Sequence, residues 1–370
     1  MREVLISVGE ASGDLHGAAF VASLRRRLPE VRVTGLGGAR MAAVGVTLLE
    51  KPDGMAVMGF VEVLRTIPHH WQLLRRIEAR LASGTVGLVV VMDYPGFNMR
   101  VAAAARRHGV PVLYYITPQV WAWGAGRLPK LRNLVARAAV ILPFEAELLN
   151  SHGIDATFVG HPLLDRMGEL PSRDAARAAL GIGPERRVLA LFPGSRRQEV
   201  ERHLEAFVAT ARRLQRDDPL LDVVVSVAPG MTLAADRCPY PMVSDASWTV
   251  LRAADAGLCK SGTTTLEAAV AGCPLIVAYK TSAWTYAIAR RVVKIPRIGL
   301  VNVVAGREVA PEFVQDAVNE SAMAAALAPL LRDTPARAAM VEGLAQVRAQ
   351  LGTPGASDRA AGIAAELLGG

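Results

Sequence analysis

Four stretches of the chain set groups that can do chemistry directly after apolar runs. Gly9-Glu10-Ala11-Ser12-Gly13-Asp14 follows the run VLISV (4–8). Its glycines let backbone approach a ligand, and Glu10 and Asp14 offer acceptors or a base. The same residues also suit a tight turn in which Ser12 and Asp14 cap a helix. Asp93 ends a second apolar run, VGLVVVMD (86–93), at the turn Tyr94-Pro95-Gly96-Phe97-Asn98. A carboxylate buried there is costly unless it is used or paired. It suits a general base on a sugar hydroxyl, or a bond to the backbone of its own turn.

The other two stretches lie in the second half and favour anions. Pro193-Gly194-Ser195-Arg196 and Ser261-Gly262-Thr263-Thr264-Thr265 each follow an apolar run and lead into a helical pattern. Backbone N–H groups, hydroxyls and a helix N-terminus attract phosphate, and Arg196 adds a two-pronged donor. Glu267, in the helix opened by the second loop, suits the two hydroxyls of a ribose. Each loop alone also reads as an ordinary capped helix. Neither matches a Walker loop or a GxGxxG fingerprint, so an ATPase or a dehydrogenase gains no support. His16 reads as a helix-face or a catalytic histidine, and His161, in Gly160-His161-Pro162, as a turn residue or one that reaches a ligand cleft.

The elements that must position these groups alternate between strand and helix. Strand runs at 4–8, 86–93, 110–116 and 138–144 recur at 186–192, 220–229, 255–260 and 273–279, with helical patterns between. Continuous apolar strands alternating with helices indicate parallel sheets covered on both faces. The expected architecture is α/β, two Rossmann-like doubly wound domains facing a central cleft. The boundaries expected are 1–165, 166–340 and a helical tail at 341–370. Ligands then bind at the carboxyl ends of the strands.

Composition narrows the function. The chain has 370 residues, 51% hydrophobic, which is ample for sizeable cores. Lys and Arg total 42 against 34 acidic residues, a formal charge of +8, and the excess is almost all arginine. Arginine suits phosphate-bearing ligands or an anionic membrane surface, though a biased composition explains many such residues equally well. The charge is spread out rather than striped, against a nucleic-acid partner. Three cysteines without CxxC spacing argue against a disulfide framework and a zinc site. The N-terminus has no apolar signal segment and no run is long enough to span a bilayer, so a cytoplasmic protein is expected. Residues 55–76, with Met55, Met58, Phe60, Ile67, Trp71, Leu73 and Leu74 flanked by arginines, read as core or as an interfacial segment. YYITPQVWAW (114–123) could line an acyl or sugar pocket.

Taken in order, these pieces resemble one family. GEASGDLHGA (9–18), GLGGARM (35–41), AVMGFVEVL (56–64), DYPGFN (93–98), YYITPQVWAW, ILPFE (141–145), FVGHP (158–162), FPGSRRQEV (192–200), SGTTTLEAA (261–269) and NVVAGREVAPEFVQ (302–315) resemble the lipid-A-disaccharide synthases, glycosyltransferases of the GT-B fold. One departure is Val301, where the family often has proline. The resemblance implies inverting transfer of a 2,3-diacylglucosamine unit from its UDP conjugate to 2,3-diacylglucosamine 1-phosphate. It implies that Ser195, Arg196, Ser261, Gly262, Thr263 and Glu267 hold UDP, and that Asn302, Glu312 and Gln315 lie near the donor sugar or diphosphate. Asp93 is the leading base, with Glu10 second; Ser12, His16, Asn98 and Gly194 count among the substrate-binding positions. No metal or cofactor is expected, since the donor is itself an activated sugar and no DxD-like acidic pair is present. Acylated glucosamine substrates, the inner face of the cytoplasmic membrane and a homodimer are the expected partners. The alternatives are another UDP-sugar enzyme of the same fold, an N-acetylglucosaminyl transferase or an epimerase, and a non-catalytic binding protein. Intact Asp93, Arg196 and Glu267 disfavour the last.

Overall fold

The computed structural model describes residues 3–9, 11–50, 63–122, 124–231, 237–292 and 295–369. The chain forms two compact units, the first Met1–Asp165 with Gly352–Gly370, the second Arg166–Leu351.

The first unit holds β1 (Glu3–Val8), α1 (Ala11–Arg27), β2 (Arg32–Leu36), α2 (Ala39–Ala43), β3 (Thr47–Leu48), α3 (Val63–Ala82) and β4 (Val86–Met92). It continues through α4 (Pro95–Arg107), β5 (Val112–Tyr115), α5 (Leu128–Leu134), β6 (Arg137–Val140), α6 (Glu145–Ser151) and β7 (Ala156–Phe158). Its sheet has the order β3-β2-β1-β4-β5-β6-β7, every pairing parallel. β1 is buried along its whole length and β4 nearly so, because helices cover both faces. Proline at the start of α4 suits a helix N-terminus, where no N–H is needed. α1 begins at Ala11, directly inside the glycine-bearing loop.

The second unit holds α7 (Arg173–Ala179), β8 (Arg187–Phe192), α8 (Arg197–Asp217), β9 (Leu221–Val227), β10 (Met242–Ser244), α9 (Ser247–Ala253) and β11 (Ala256–Lys260). α10 (Thr264–Ala271), β12 (Leu275–Tyr279), α11 (Ala283–Val292), α12 (Leu300–Ala305), β13 (Glu312–Val314), α13 (Glu320–Leu327) and α14 (Pro335–Gln350) complete it. Its parallel sheet has the order β10-β9-β8-β11-β12-β13. Leu189, Leu191, Val225, Leu258 and Ile276 are fully buried in its core.

The tail expected at 341–370 is not one element. Val341 lies inside α14 of the second unit, and the chain returns to the first unit as α15 (Ala356–Gly369). The return follows from burial: Ala360, Ala361, Ile363 and Ala364 join the core of α1 and β1. Asp165 fixes the start of α15, its carboxylate accepting the N–H groups of Gly355 (2.6 Å), Ala356 (2.9 Å) and Ser357 (3.1 Å).

Of the residues read as core or lipid-facing, Leu73 and Leu74 are buried in the first unit's core. Trp71 remains 54% exposed, with the Arg100 guanidinium 5.8 Å above its ring. Residues 55–62 lie outside the described residues. Among the described residues, no helix is long and apolar enough to cross a membrane.

Candidate functional site

Each sheet reverses its winding once. In the first unit the reversal falls between β1 and β4, in the second between β8 and β11. Strands either side of such a switch point send their following loops apart, leaving a crevice at their carboxyl ends. Val8 pairs with Met92, so the loop of Gly9 and the turn of Asp93 flank the first crevice. Phe192 pairs with Cys259, so the loops Pro193–Arg196 and Ser261–Thr263 flank the second. Strand order thus brings together, unit by unit, the stretches that sequence singled out.

Backbone strain gathers at the same edges. Among the described residues, the non-glycine residues with positive φ are Asp93, Tyr94, Ile116, Asp245 and Gln315, each at the carboxyl end of a strand. Such conformations cost about 1–3 kcal/mol each and persist where their surroundings enforce them. At Asp93 (φ 47°) and Tyr94 (φ 45°) the enforcement is visible. The Asp93 carbonyl accepts from Asn98 Nδ2 (2.9 Å) and from the Tyr114 hydroxyl (2.9 Å), while its N–H donates to Ile116 O (3.1 Å). Gly9 must be glycine, since a Cβ there would lie 2.3 Å from Tyr94.

The Asp93 side chain is exposed rather than buried. It stands in the left-handed turn just past the end of β4, beside the first crevice, which corrects the expectation of a buried carboxylate. Asn98 is wholly buried (0% exposed). Its Oδ1 accepts from Ser7 Oγ (2.7 Å) and its Nδ2 donates to Met92 O (2.8 Å) as well as to Asp93 O. It straps β1 to the Asp93 turn, a positioning role in place of the expected substrate contact. Ser12 is exposed and His16 half-buried, one turn apart on one face of α1. Glu10 lies outside the described residues.

Asp14 serves neither as a base nor as a cap of its own helix. Its carboxylate accepts the N–H groups of Gly38 (2.7 Å), Arg40 (3.0 Å) and Met41 (3.0 Å), capping α2. A Cβ at Gly38 would lie 2.6 Å from that carboxylate, which explains the glycine in GLGGARM. His161 is buried, with Nδ1 accepting from Leu163 N (3.2 Å). Burial, aided by His16 and opposed by Asp165, pushes it down to about 3, so it is neutral. Glu145, a residue that sequence reasoning gave no role, accepts from Trp121 Nε1 (3.0 Å) and Leu142 N (3.0 Å), anchoring the VWAW stretch. Burial raises its carboxyl to about 7 against those hydrogen bonds. Trp123 lies outside the described residues.

In the second unit, Gly194 (φ 139°) and the exposed Ser195 and Arg196 form the loop before α8. Gly262 is half-buried, and Thr263, exposed, sits at the N-cap of α10, where Thr265 N donates to Gly262 O (3.1 Å) and Leu266 N to Thr263 O (2.9 Å). Burial raises the Glu267 carboxyl, opposed by the nearby Arg166 and a hydrogen bond with Ser247. Four of the residues expected at the ligand site hold backbone in this structure. Ser261 Oγ donates to Ile298 O (2.7 Å). Asn302 is buried; its Oδ1 accepts from Val309 N (2.7 Å) and Ala310 N (2.9 Å), and its Nδ2 donates to Glu312 (2.8 Å). Glu312 caps α12 by accepting from Ile298 N (2.9 Å) and Gly299 N (2.9 Å). Gln315 exchanges two bonds with Thr281, extending the β12–β13 ladder by a side chain (2.7 and 3.1 Å). Polar side chains in a motif carry no mark of whether they face a ligand or their own backbone.

Sequence reasoning also passed over Glu199 and Lys260. Glu199 lies in the first turn of α8, where its carboxylate accepts from Ser195 N (3.0 Å) and from Lys260 Nζ (2.8 Å). Burial raises its carboxyl, but Lys260, the Ser195 N–H and Arg196 together hold it below the ordinary range. The available signal was an acidic residue three positions after Arg196, where a first helical turn favours negative charge.

Two doubly wound parallel sheets with glycine-bearing loops at their switch points define the GT-B class of fold. The chain is similar in fold to a UDP-N-acetylglucosamine 2-epimerase from Listeria monocytogenes (TM-score 0.66, 13% identity, 96% of this chain and 94% of that one). It is equally similar to the kitacinnamycin glycotransferase (TM-score 0.66, 16% identity, 99% and 98%). The family model described as Lipid-A-disaccharide synthetase matches residues 4–366. The lipid-A-disaccharide synthase of Geobacter sulfurreducens is 41% identical over 376 residues, covering 100% of this chain and 98% of the relative. That of Syntrophus aciditrophicus is 41% identical over 373 residues, covering 99% and 97%. The chain belongs to the lipid-A-disaccharide synthase family.

Proposed function

We infer that the chain transfers the 2,3-diacylglucosamine unit of UDP-2,3-diacylglucosamine to the 6′-type hydroxyl of 2,3-diacylglucosamine 1-phosphate. The products are a β-1,6-linked tetra-acyl disaccharide 1-phosphate and UDP, in lipid A biosynthesis. The observation that carries this reading is family membership over the whole chain.

The residue roles are part of the proposal. Asp93 takes the proton of the acceptor hydroxyl while that oxygen attacks the donor's anomeric carbon on the face opposite the leaving diphosphate. Its exposure on a turn beside the first switch point, held by Asn98 and Tyr114, supports the role. Glu10 is the second candidate. The loop Gly194–Arg196, the α10 N-terminus at Gly262 and Thr263, and Glu267 receive UDP, the donors meeting charge as it builds on the leaving group. The proposal needs no cofactor or metal: the sugar arrives activated. It also places the chain on the inner face of the cytoplasmic membrane, where its acylated substrates reside; exposed Trp71 with Arg100 above it suits that surface. Self-association into a homodimer belongs to the same reading.

The test is UDP release in detergent micelles with donor, with and without acceptor. Acceptor-dependent release with disaccharide formation is expected. An epimerised UDP-sugar, or release that ignores this acceptor, refutes the reading. Asp93→Asn is expected to lower the rate at least about 100-fold with UDP binding unchanged, the scale of a general base. Near-full activity would move the base to Glu10.

A further inference from the structure

The loop proposed to receive the UDP diphosphate already holds an anion, supplied by the chain itself. Glu199 folds back over it so that one carboxylate oxygen takes the Ser195 N–H (3.0 Å) and the other the Lys260 ammonium (2.8 Å). The Arg196 guanidinium lies 3.8 Å from the second oxygen. A backbone N–H, an ammonium and a guanidinium converging on two oxygens form the donor set that a phosphoryl group takes.

The arrangement is built rather than incidental. Gly194 adopts φ 139°, and a Cβ there would lie 2.6 Å from Glu199 Cβ, so only glycine lets the carboxylate fold over the loop. Buried His203 accepts the Lys280 N–H at Nε2 (2.8 Å) and, through Nδ1, bonds the Glu199 carbonyl (2.6 Å), tying the first turn of α8 to the end of β12. Lys260 ends β11 immediately before the loop at Ser261, so its ammonium stands between the two loops that flank the switch point. Both side chains are largely shielded, with 17% and 16% exposure, where the pair is worth more than at an open surface.

The geometry points to Lys260 as a diphosphate-binding residue and to Glu199 as its built-in competitor. On binding of the UDP-sugar, the Lys260 ammonium and the Ser195 N–H pass from the carboxylate to the diphosphate. When UDP departs, the carboxylate takes them back, which keeps the empty loop formed and shortens the stay of the product. This inference rests on the reading of the second unit as the UDP-holding one.

The experiment measures UDP binding by calorimetry, and uridine binding by saturation-transfer NMR, for the intact chain and three variants. Lys260→Met is expected to weaken UDP about 10–100-fold, the worth of one charge-assisted hydrogen bond, while uridine is unchanged. Lys260→Arg restores UDP to within about threefold, since charge is kept. Glu199→Gln, which keeps shape and removes the competing charge, tightens UDP severalfold. Equal UDP affinity in Lys260→Met overturns the assignment. So does an equal loss for uridine, which marks a collapsed loop. A weaker UDP complex in Glu199→Gln overturns the competitor role. A wild-type chain that binds no UDP refutes the underlying reading of the second unit, a result distinct from all three.

Discussion

Asn98→Asp tests whether the Asp93 turn is enforced or merely adopted. The substitution keeps the shape of the side chain and the acceptor for Ser7 Oγ. It removes the two N–H donors that satisfy Met92 O (2.8 Å) and Asp93 O (2.9 Å). Met92 O, left without that donor in a site of 0% exposure, costs about 1–3 kcal/mol, while Asp93 O keeps the Tyr114 hydroxyl (2.9 Å). A carboxylate facing two carbonyls stays ionised only at further cost, so a total of about 3–5 kcal/mol is expected near neutral pH. For a unit of this size that is roughly 6–20 °C in the unfolding midpoint. The sign of the pH dependence follows from the same geometry. Burial raises the folded-state pKa of the new carboxyl above its unfolded value, so the variant recovers stability as pH falls and loses it as pH rises. Scanning calorimetry at pH 5.5 and 8 reads both effects, and UDP titration checks that the second unit is intact. Glycosyl transfer is expected to fall with the midpoint, because Asp93 and Tyr94 lose the strap that holds their left-handed backbone. A midpoint within about 2 °C of the wild type at pH 8 would refute the strap. Lost activity at unchanged stability would return Asn98 to the substrate-binding set.

Two further outcomes probe the scaffold. Asp14→Ala leaves three N–H groups at the start of α2 without their acceptor, and about 2 kcal/mol is expected from urea unfolding; a loss below about 0.5 kcal/mol would show that the cap is dispensable. His161 is held neutral, at about 3 against an ordinary 6.5, so the folded chain binds fewer protons there than the unfolded one. Its contribution is complete above about pH 6.5 and drains away as pH falls toward 3. His161→Gln should therefore lose less stability between pH 7 and pH 4 than the wild type, and parallel curves would show that the imidazole is solvated.

The amino-acid sequence by itself carried the class and the chemistry. Runs such as VGLVVVM and VLALF are apolar throughout, and such a run between helices belongs to a parallel sheet buried on both faces. Glycine, serine and arginine after those runs marked anion loops, because glycine opens the backbone and the others supply donors. These are local properties, legible within about ten residues. Strand order is not local. That β1 neighbours β4, and β8 neighbours β11, emerges only once the whole sheet is assembled, and it alone makes Gly9 face Asp93 and Ser195 approach Lys260. The tertiary structure likewise decided which polar groups face the backbone. Asp14 finds its partners at Gly38, Arg40 and Met41, and Asn302 with Glu312 braces the start of α12. The return of α15 to the first unit was equally hidden, since a helix with small apolar residues on one face does not name the surface it will cover. The physical reason is common to all of these. Side-chain type and periodicity fix what a residue can do, whereas hydrogen-bond partners and buried faces depend on contacts between distant segments that only the assembled sheets create.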